Sequence, residues 1–387
     1  VTDISGPWAE IDLDCIGHNL RQIRKISGDR PVMPVIKNNA YGHGITRVAK
    51  YLESEKVKAV CVGKFEEAAT LRRHGFKGAI LNLGPFSRKE AEVIVSQEIT
   101  QSVFSDAAMV LNEAAGRIGK RAAVHVKIDT GLGRVGVPHE QALEFVFDVA
   151  RLEHIEITGV FTALSEDIEL DLLQLRRFGT VCDQAAKRGI HLGIRHAASS
   201  AGILNHADSL LDVVRPGIAV FGHYPSGEAF RQRKIDLKPA LSLKARVSMV
   251  KSIKPGEAVG YHQAYVAKSL ETIVTGAIGY PDGYPPNLAG KSHAIVRERM
   301  LPVIGAVTAN HITLGAGDSR DIRIGDEIVL IGLQGDCSIA LEELTQLSGL
   351  SEYKLLSMIN PLLPRFYRID GMLGPVEGES IDDIQAV

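Results

Sequence analysis

Cysteine is scarce in this chain and poorly placed for chemistry of its own. Four occur in 387 residues, at Cys15, Cys61, Cys182 and Cys337. They form no CxxC and no close pair, which argues against a disulfide framework or a metal site and fits a reducing compartment. Charge of one sign is also missing. A formal net charge of −2 offers no electrostatic case for nucleic acid or an anionic membrane. No apolar run approaches the roughly 20 residues of a membrane span. The opening Val1-Thr-Asp-Ile-Ser-Gly-Pro-Trp8 has neither a basic start nor an apolar centre, so no signal peptide is expected and a cytoplasmic location is. There is no internal repeat and no low-complexity tract. What remains is 45 % hydrophobic and 23 % charged, ordinary for a soluble protein that buries a large core.

Short apolar runs alternate with longer amphipathic segments from about residue 30 to 222. The runs are Pro31–Ile36, Ala59–Val62, Ala79–Leu83, Thr100–Phe104, Ala122–Ile128, Ile155–Phe161, Gly193–His196 and Gly217–Phe221. Helical patterns lie between them at Gly44–Ser54, Phe65–His74, Lys89–Val95, Ala107–Ile118, Glu140–Ala150 and Asp171–Lys187. Eight such alternations predict an α/β fold with an N-terminal (β/α)8 TIM-type barrel. A doubly wound open sheet competes, but no GxGxxG follows the first run. After Tyr224 the texture changes. Leu241–Ile253, Glu271–Ile278, Ser292–Val296, Met300–Thr308 and Glu327–Ile331 are rich in Val, Ile and Thr. They predict a C-terminal mainly-β domain with a late helix at Ser338–Leu347. The expected domains are residues 10–235 and 236–387, with residues 1–9 joining the second. The tail after Gly371 is acidic (Glu377, Glu379, Asp382, Asp383) and is expected to fray at its end.

Chemistry-bearing residues gather at the ends of the apolar runs. Val35-Ile-Lys-Asn-Asn-Ala-Tyr-Gly-His-Gly44 places Lys37 where a buried strand opens into a glycine-rich loop. Desolvation there lowers an amine pKa until it serves as nucleophile or base, although a lysine that merely ends a strand and reaches water gives the same local pattern. Val124-His-Val-Lys-Ile-Asp-Thr-Gly-Leu-Gly-Arg-Val-Gly136 sets Lys127, Asp129 and Arg134 around another strand end, which an Asp–Arg pair in a solvated loop would equally explain. Ile194-Arg-His-Ala-Ala-Ser-Ser-Ala-Gly202 has hydroxyls at a strand-to-helix transition, suited to an anion or simply to a helix cap. Val213-Val-Arg-Pro-Gly-Ile-Ala-Val-Phe-Gly222 buries an arginine that must find a partner.

These segments resemble the alanine racemase family, fold-type III enzymes that use pyridoxal 5′-phosphate (PLP). The resemblance runs from Ala9-Glu-Ile-Asp-Leu13 to Pro364-Arg-Phe-Tyr-Arg368. It implies that Lys37 holds PLP covalently and then acts as one of two acid/base groups. Tyr41, Ser200, Gly217, Ile218 and Tyr353 match phosphate ligands. His196 matches a histidine beneath the cofactor ring, and Arg215 the arginine facing its pyridine nitrogen. An arginine there cannot readily protonate the ring, which weakens the electron sink and disfavours transamination. Lys127 matches a lysine that is often carbamylated, a change that would let it pair with Arg134 on the substrate side. Tyr261, in Glu257-Ala-Val-Gly-Tyr-His-Gln-Ala-Tyr265, matches the second catalytic base, offered across a dimer interface. Its free pKa of about 10 would be lowered by a nearby His196–Arg215 pair. Tyr280, in Gly279-Tyr-Pro-Asp-Gly-Tyr284, would help line the substrate entrance from the partner. Two bases on opposite faces of the α-carbon suit racemisation with little substrate movement. A homodimer with shared active sites and a small amino-acid substrate follow from the resemblance. No metal is expected.

The substrate side departs from the family pattern. The usual Gly-Arg-Val-x-Met-Asp-Gln is here Gly305-Ala-Val-Thr-Ala-Asn-His311, so Ala309 and Asn310 replace methionine and aspartate. Thr-His-Phe-Ala becomes Thr162-Ala-Leu-Ser165, and Ser-Tyr-Gly-x-Thr becomes Gly260-Tyr-His-Gln-Ala264. The expected activity is interconversion of L- and D-alanine. A racemase of the same fold acting on serine or on a larger, polar or non-proteinogenic amino acid is the alternative, because Ala309 removes bulk and Asn310 a charge. A PLP-dependent decarboxylase and a non-catalytic PLP-binding protein are further readings; no decarboxylase-type cysteine segment surrounds Cys337, and Tyr261 counts against the second.

Overall fold

The computed structural model describes residues 4–28 and 30–374. The acidic tail residues Glu377, Glu379, Asp382 and Asp383 lie outside them. The chain divides into two compact units. One comprises residues 15–40 and 45–239, the other residues 1–14, 41–44 and 240–387.

The first unit is a curled parallel sheet wrapped by helices. Its strands Ala59–Val62, Ala79–Asn82, Thr100–Val103, Ala122–Asp129, Ile155–Phe161 and Ile194–His196 pair in that order. Two further positions close the ring by isolated parallel bridges, Val35 to Cys61 and Val32 to Val214. The first expected strand, Pro31–Ile36, is therefore only a pair of bridges. Pro31, Pro34 and Pro216 have no N–H, so an unbroken ladder cannot form beside them; their carbonyls still accept from Val214, Cys61 and Val35. The eighth position falls at Val213–Pro216. The run Gly217–Phe221, expected as a strand, is a 3-10 turn from Ile218 to Phe221 ended by the left-handed Gly222. The helices occupy the expected intervals, among them Ile45–Ser54, Phe65–Arg73 and Ile168–Lys187. A further helix, Leu13–Ser27, was not anticipated; it buries Leu13, Ile16, Leu20 and Ile23 at helical spacing.

The second unit is mainly β. Leu241–Ile253, Glu271–Gly276, Ile312–Gly317, Arg299–Ile304, His293–Val296 and Glu327–Gln334 pair in sequence, and the last returns to the first. Six strands thus close on themselves and remove their own edges. Trp8–Asp12 joins this sheet between Leu241–Ile253 and Arg365–Ile369. The expected strand Met300–Thr308 stops at Ile304, because Gly305 turns left-handed at φ 67°. Residues 305–311 leave the sheet as a loop. The strand Ile312–Gly317 was missed, its two glycines having hidden the pattern. The late helix is Leu341–Ser348, followed by Glu352–Met358. Met372–Gly374 pairs with Arg365–Ile369, so the first residues after Gly371 are ordered in a strand.

Candidate active site

Lys37 follows the Val35 bridge at the C-terminal end of the first barrel position. The next four residues, Asn38, Asn39, Ala40 and Tyr41, all have φ between 51° and 54°. A left-handed turn of L-residues costs about 1–2 kcal/mol per residue, eased for asparagine, so something must hold it. Glu67 does: its carboxylate accepts from Asn39 N at 3.1 Å, Gly63 N at 2.9 Å and Lys64 N at 3.2 Å. Asn39 Oδ1 in turn accepts from Ile45 N at 2.8 Å. Strain concentrated beside a candidate nucleophile is the pattern of a functional turn. Burial, then the Arg134 guanidinium, lower the Lys37 amine below the ordinary lysine value, with Glu67 opposing.

Lys127 lies on the strand Ala122–Asp129, with its ammonium 5.8 Å from the Phe161 ring centre. Burial comes first, then Arg134 and Arg215, in bringing its pKa down to about 8. Among the described residues Asp129 makes no ion pair with the Arg134 guanidinium and accepts from the Arg134 backbone N–H instead. Its Oδ1 accepts from Gly131 N at 3.0 Å and Gly133 N at 3.2 Å. Burial works against its carboxylate, yet these and neighbouring backbone N–H groups hold it below the usual range.

Arg215 is buried and fully engaged. It donates to Thr162 O at 2.9 Å, Ala197 O at 3.2 Å and His196 O at 3.3 Å, and to the His196 ring at Nδ1. His196 continues the chain through Nε2 to His125 Nδ1 at 2.8 Å. Its ring lies flat on Phe161, 4.9 Å between centres and 6° between planes. Burial, Arg215 and His125 push His196 well below its ordinary pKa, and burial and Arg215 take His125 to about 3. Arg215 itself is lowered to about 10 by burial. Ser200 opens the helix Ser200–Asn205 behind the cap Ser199. Its hydroxyl accepts from Gly217 N at 3.0 Å and Ala219 N at 3.2 Å. Ser200 and the Gly217–Ile218 turn are therefore joined. The divergent segment Thr162–Ser165 is anchored too: Thr162 Oγ1 meets Thr130 Oγ1 at 2.7 Å, and Ser165 N and Oγ both donate to Asp171 at 2.7 Å.

In the second unit Tyr41 and Tyr353 stand with ring centres 6.1 Å apart. The turn Tyr41–Gly44 is clamped by Arg365, which donates to Gly42 O at 2.9 Å, and by Tyr367, whose hydroxyl donates to His43 O at 3.1 Å. Tyr280 is held beside the 305–311 loop, its N–H donating to Thr308 O at 3.0 Å. A Cβ on Gly279 would sit 2.0 Å from the Ala309 carbonyl oxygen, so only glycine permits this approach. Gly279, Tyr280, Thr308 and Ala309 are thus brought together, with Asn310 next along the loop. Tyr261 sits on a separate turn, Tyr261–Gln263, carried by the hairpin of Ala258–Val259 and Tyr265–Val266, and is 73 % exposed.

Sequence reasoning missed Glu67, His125, Phe161 and Arg365. His125 had a legible signal, since it lies two residues before Lys127 and so points to the same side of the strand. Glu67, Phe161 and Arg365 act across long sequence separations and carried none. Among the described residues no group of side chains could hold a metal ion, and no helix is long and apolar enough to cross a membrane.

A curled α/β barrel with a lysine and other chemistry-bearing residues at its strand ends, joined to a closed β domain, has the layout of an enzyme. The family models for the alanine racemase N-terminal and C-terminal domains match residues 11–225 and 240–367. The alanine racemase of Symbiobacterium thermophilum is 37 % identical over 93 % of this chain and 96 % of its own length. That of Carboxydothermus hydrogenoformans is 36 % identical over 93 % and 99 %. Among solved structures, Clostridium difficile alanine racemase matches with a TM-score of 0.90 and 33 % identity, covering 96 % of this chain and 98 % of that one. The chain belongs to the alanine racemase family. Members are isomerases that use pyridoxal 5′-phosphate. These matches favour alanine over another amino acid, and racemisation over decarboxylation or cofactor storage.

Proposed function

We propose that this chain interconverts L- and D-alanine, with Lys37 and Tyr261 as the two acid/base groups. The observation that carries this is Lys37 itself, an amine lowered by burial and Arg134 on a strained turn held by Glu67. The residues fit PLP. A desolvated amine suits attachment to its aldehyde. The Ser200 hydroxyl, which accepts from Gly217 N and Ala219 N, keeps its own O–H to give to the phosphate beside the Gly217–Ile218 turn, and the family pattern adds the hydroxyls of Tyr41 and Tyr353. His196 and Arg215 would flank the ring, Arg215 facing the pyridine nitrogen. Bound PLP supplies the electron sink that makes the α-proton labile.

Lys37 Nζ gives or takes that proton on one face, and Tyr261 of the partner subunit does so on the other. Its 73 % exposure in one protomer suits a group offered to a second copy. Arg134, Tyr280, Ala309 and Asn310 are the substrate-side residues. Lys127, with its amine at about 8, is neutral often enough near that pH to take up carbon dioxide. Its carbamate would put an anion between Arg134 and Arg215. We place the enzyme in the cytoplasm, where scattered buried thiols such as Cys61 and Cys182 stay reduced.

Proton NMR of the PLP-loaded protein in D2O with L-alanine, followed by chiral analysis, tests the reading. Loss of the α-proton signal with appearance of D-alanine is expected. Exchange confined to another amino acid overturns the substrate. For the shared site, inactive Lys37→Ala and Tyr261→Phe proteins are mixed. About one quarter of the wild-type sites should return through subunit exchange, each hybrid dimer holding one intact site; none returns if each site is built from one chain.

A further inference from the structure

We propose that His125 is a positioning residue of this site: by accepting the hydrogen bond of His196 Nε2, it fixes His196 in the single tautomer that grips the Arg215 guanidinium. A guanidinium only donates, so the His196 Nδ1 that meets Arg215 must present its lone pair. A neutral imidazole then carries its proton on Nε2. That atom lies 2.8 Å from His125 Nδ1, which must be the acceptor. Direction is imposed along the chain from Arg215 to His196 to His125, and no reversal exists while Arg215 stays protonated.

His196 has no other way to satisfy these contacts. Its ring is fully buried and stacked within 6° of Phe161, so tilting toward a different partner would break that contact. The opposite tautomer would aim an N–H at Arg215, donor against donor. His125 is equally confined. Its ring packs over Gly159, where an added Cβ would lie 2.6 Å from Nε2, so the strand Ile155–Phe161 leaves room for the imidazole only because that residue has no side chain. Chains of buried hydrogen bonds polarise one another, so the bond accepted by His125 also makes His196 Nδ1 a stronger acceptor for Arg215. Removing His125 leaves a buried N–H unsatisfied and loosens the arginine beside the ring.

The consequence for the cofactor rests on reading Arg215 as the neighbour of its pyridine nitrogen, but the tautomer does not. Nitrogen-15 NMR of the histidine-labelled holoenzyme should find His196 protonated on Nε2 and bare on Nδ1. Protonation on Nδ1 overturns the proposal without any variant. His125→Leu, which fills the space and removes the acceptor, should leave the His196 Nε2–H without its partner, shift its nitrogen-15 resonance and weaken PLP binding about tenfold. His125→Asn, whose Oδ1 can take the place of Nδ1, should restore binding to within about threefold. Equal behaviour of wild type and His125→Leu, or of the leucine and asparagine variants, sinks the role. Failure of the wild-type protein to take up PLP would instead overturn the cofactor reading and leave the tautomer result standing.

Discussion

Mild acid should loosen this fold through two buried imidazoles. His125 has a folded pKa of about 3 against roughly 6.5 for a free histidine. Its folded value is depressed, so between those limits the unfolded chain binds the extra proton. Stability is then fully present above pH 6.5 and is lost as pH falls below it. Integrating from pH 6 to pH 5 gives about 1.2 kcal/mol for one such histidine, close to the limiting 1.36 kcal/mol per unit. His196, held below its ordinary value by burial, Arg215 and His125, pulls in the same direction. The cleanest assay counts protons. At pH 5.5 an exposed histidine is about nine-tenths protonated, so each buried neutral one takes up about 0.9 proton when urea unfolds the apoprotein in a pH-stat. Wild type should take up about 0.9 proton more than His125→Asn, the other histidines cancelling. A difference near zero would refute the burial of a neutral His125. Among the carboxylates, burial raises Glu166 toward this window, and its contribution cancels in the difference between the two proteins. Asp129 is depressed, so its contribution persists above the ordinary carboxylate value and fades only in stronger acid.

Other expectations follow from the same contacts. Arg134→Gln removes a cation felt by both Lys37 and Lys127, so the rising limb of kcat/KM against pH should move up by about half to one unit; an unmoved limb shows that Arg134 does not set the amine. Gly159→Ala drives a methyl to 2.6 Å from His125 Nε2 and should cost about 1–3 kcal/mol of stability, read as a lowered Tm. An unchanged Tm would mean that the imidazole moves aside freely. Arg365→Met strips donors from the carbonyls of Gly42, Asn360, Pro361 and Leu363. It should cost about 3 kcal/mol and weaken PLP retention through the turn carrying Tyr41, whereas full retention would detach that turn from cofactor binding.

Much of the barrel was legible because its signals are local. Helices such as Phe65–Arg73 and Ile168–Lys187 announce themselves by apolar spacing, and strands such as Ala122–Asp129 by short β-branched runs. The first and last barrel positions were read with the wrong form. Proline there has the right φ and the right apolarity for a strand, and only the missing ladder hydrogen bonds distinguish Pro31–Ile36 from one. Gly217–Phe221 failed for the converse reason. Its Ile, Val and Phe suit a strand, but the backbone N–H groups of Gly217 and Ala219 are spent on Ser200, seventeen or more residues away.

The sequence alone determined the alternation that makes a barrel, the β-rich second unit and the type and order of the residues that carry chemistry. Those depend on side-chain period and on which groups can donate, accept or titrate. It could not determine their environment. Lys37 is an ordinary lysine until burial and Arg134 lower its amine. His196 is an ordinary histidine until Arg215 and His125 choose its tautomer. Only the tertiary structure decided both, because desolvation and hydrogen-bond direction depend on neighbours brought together from distant parts of the chain.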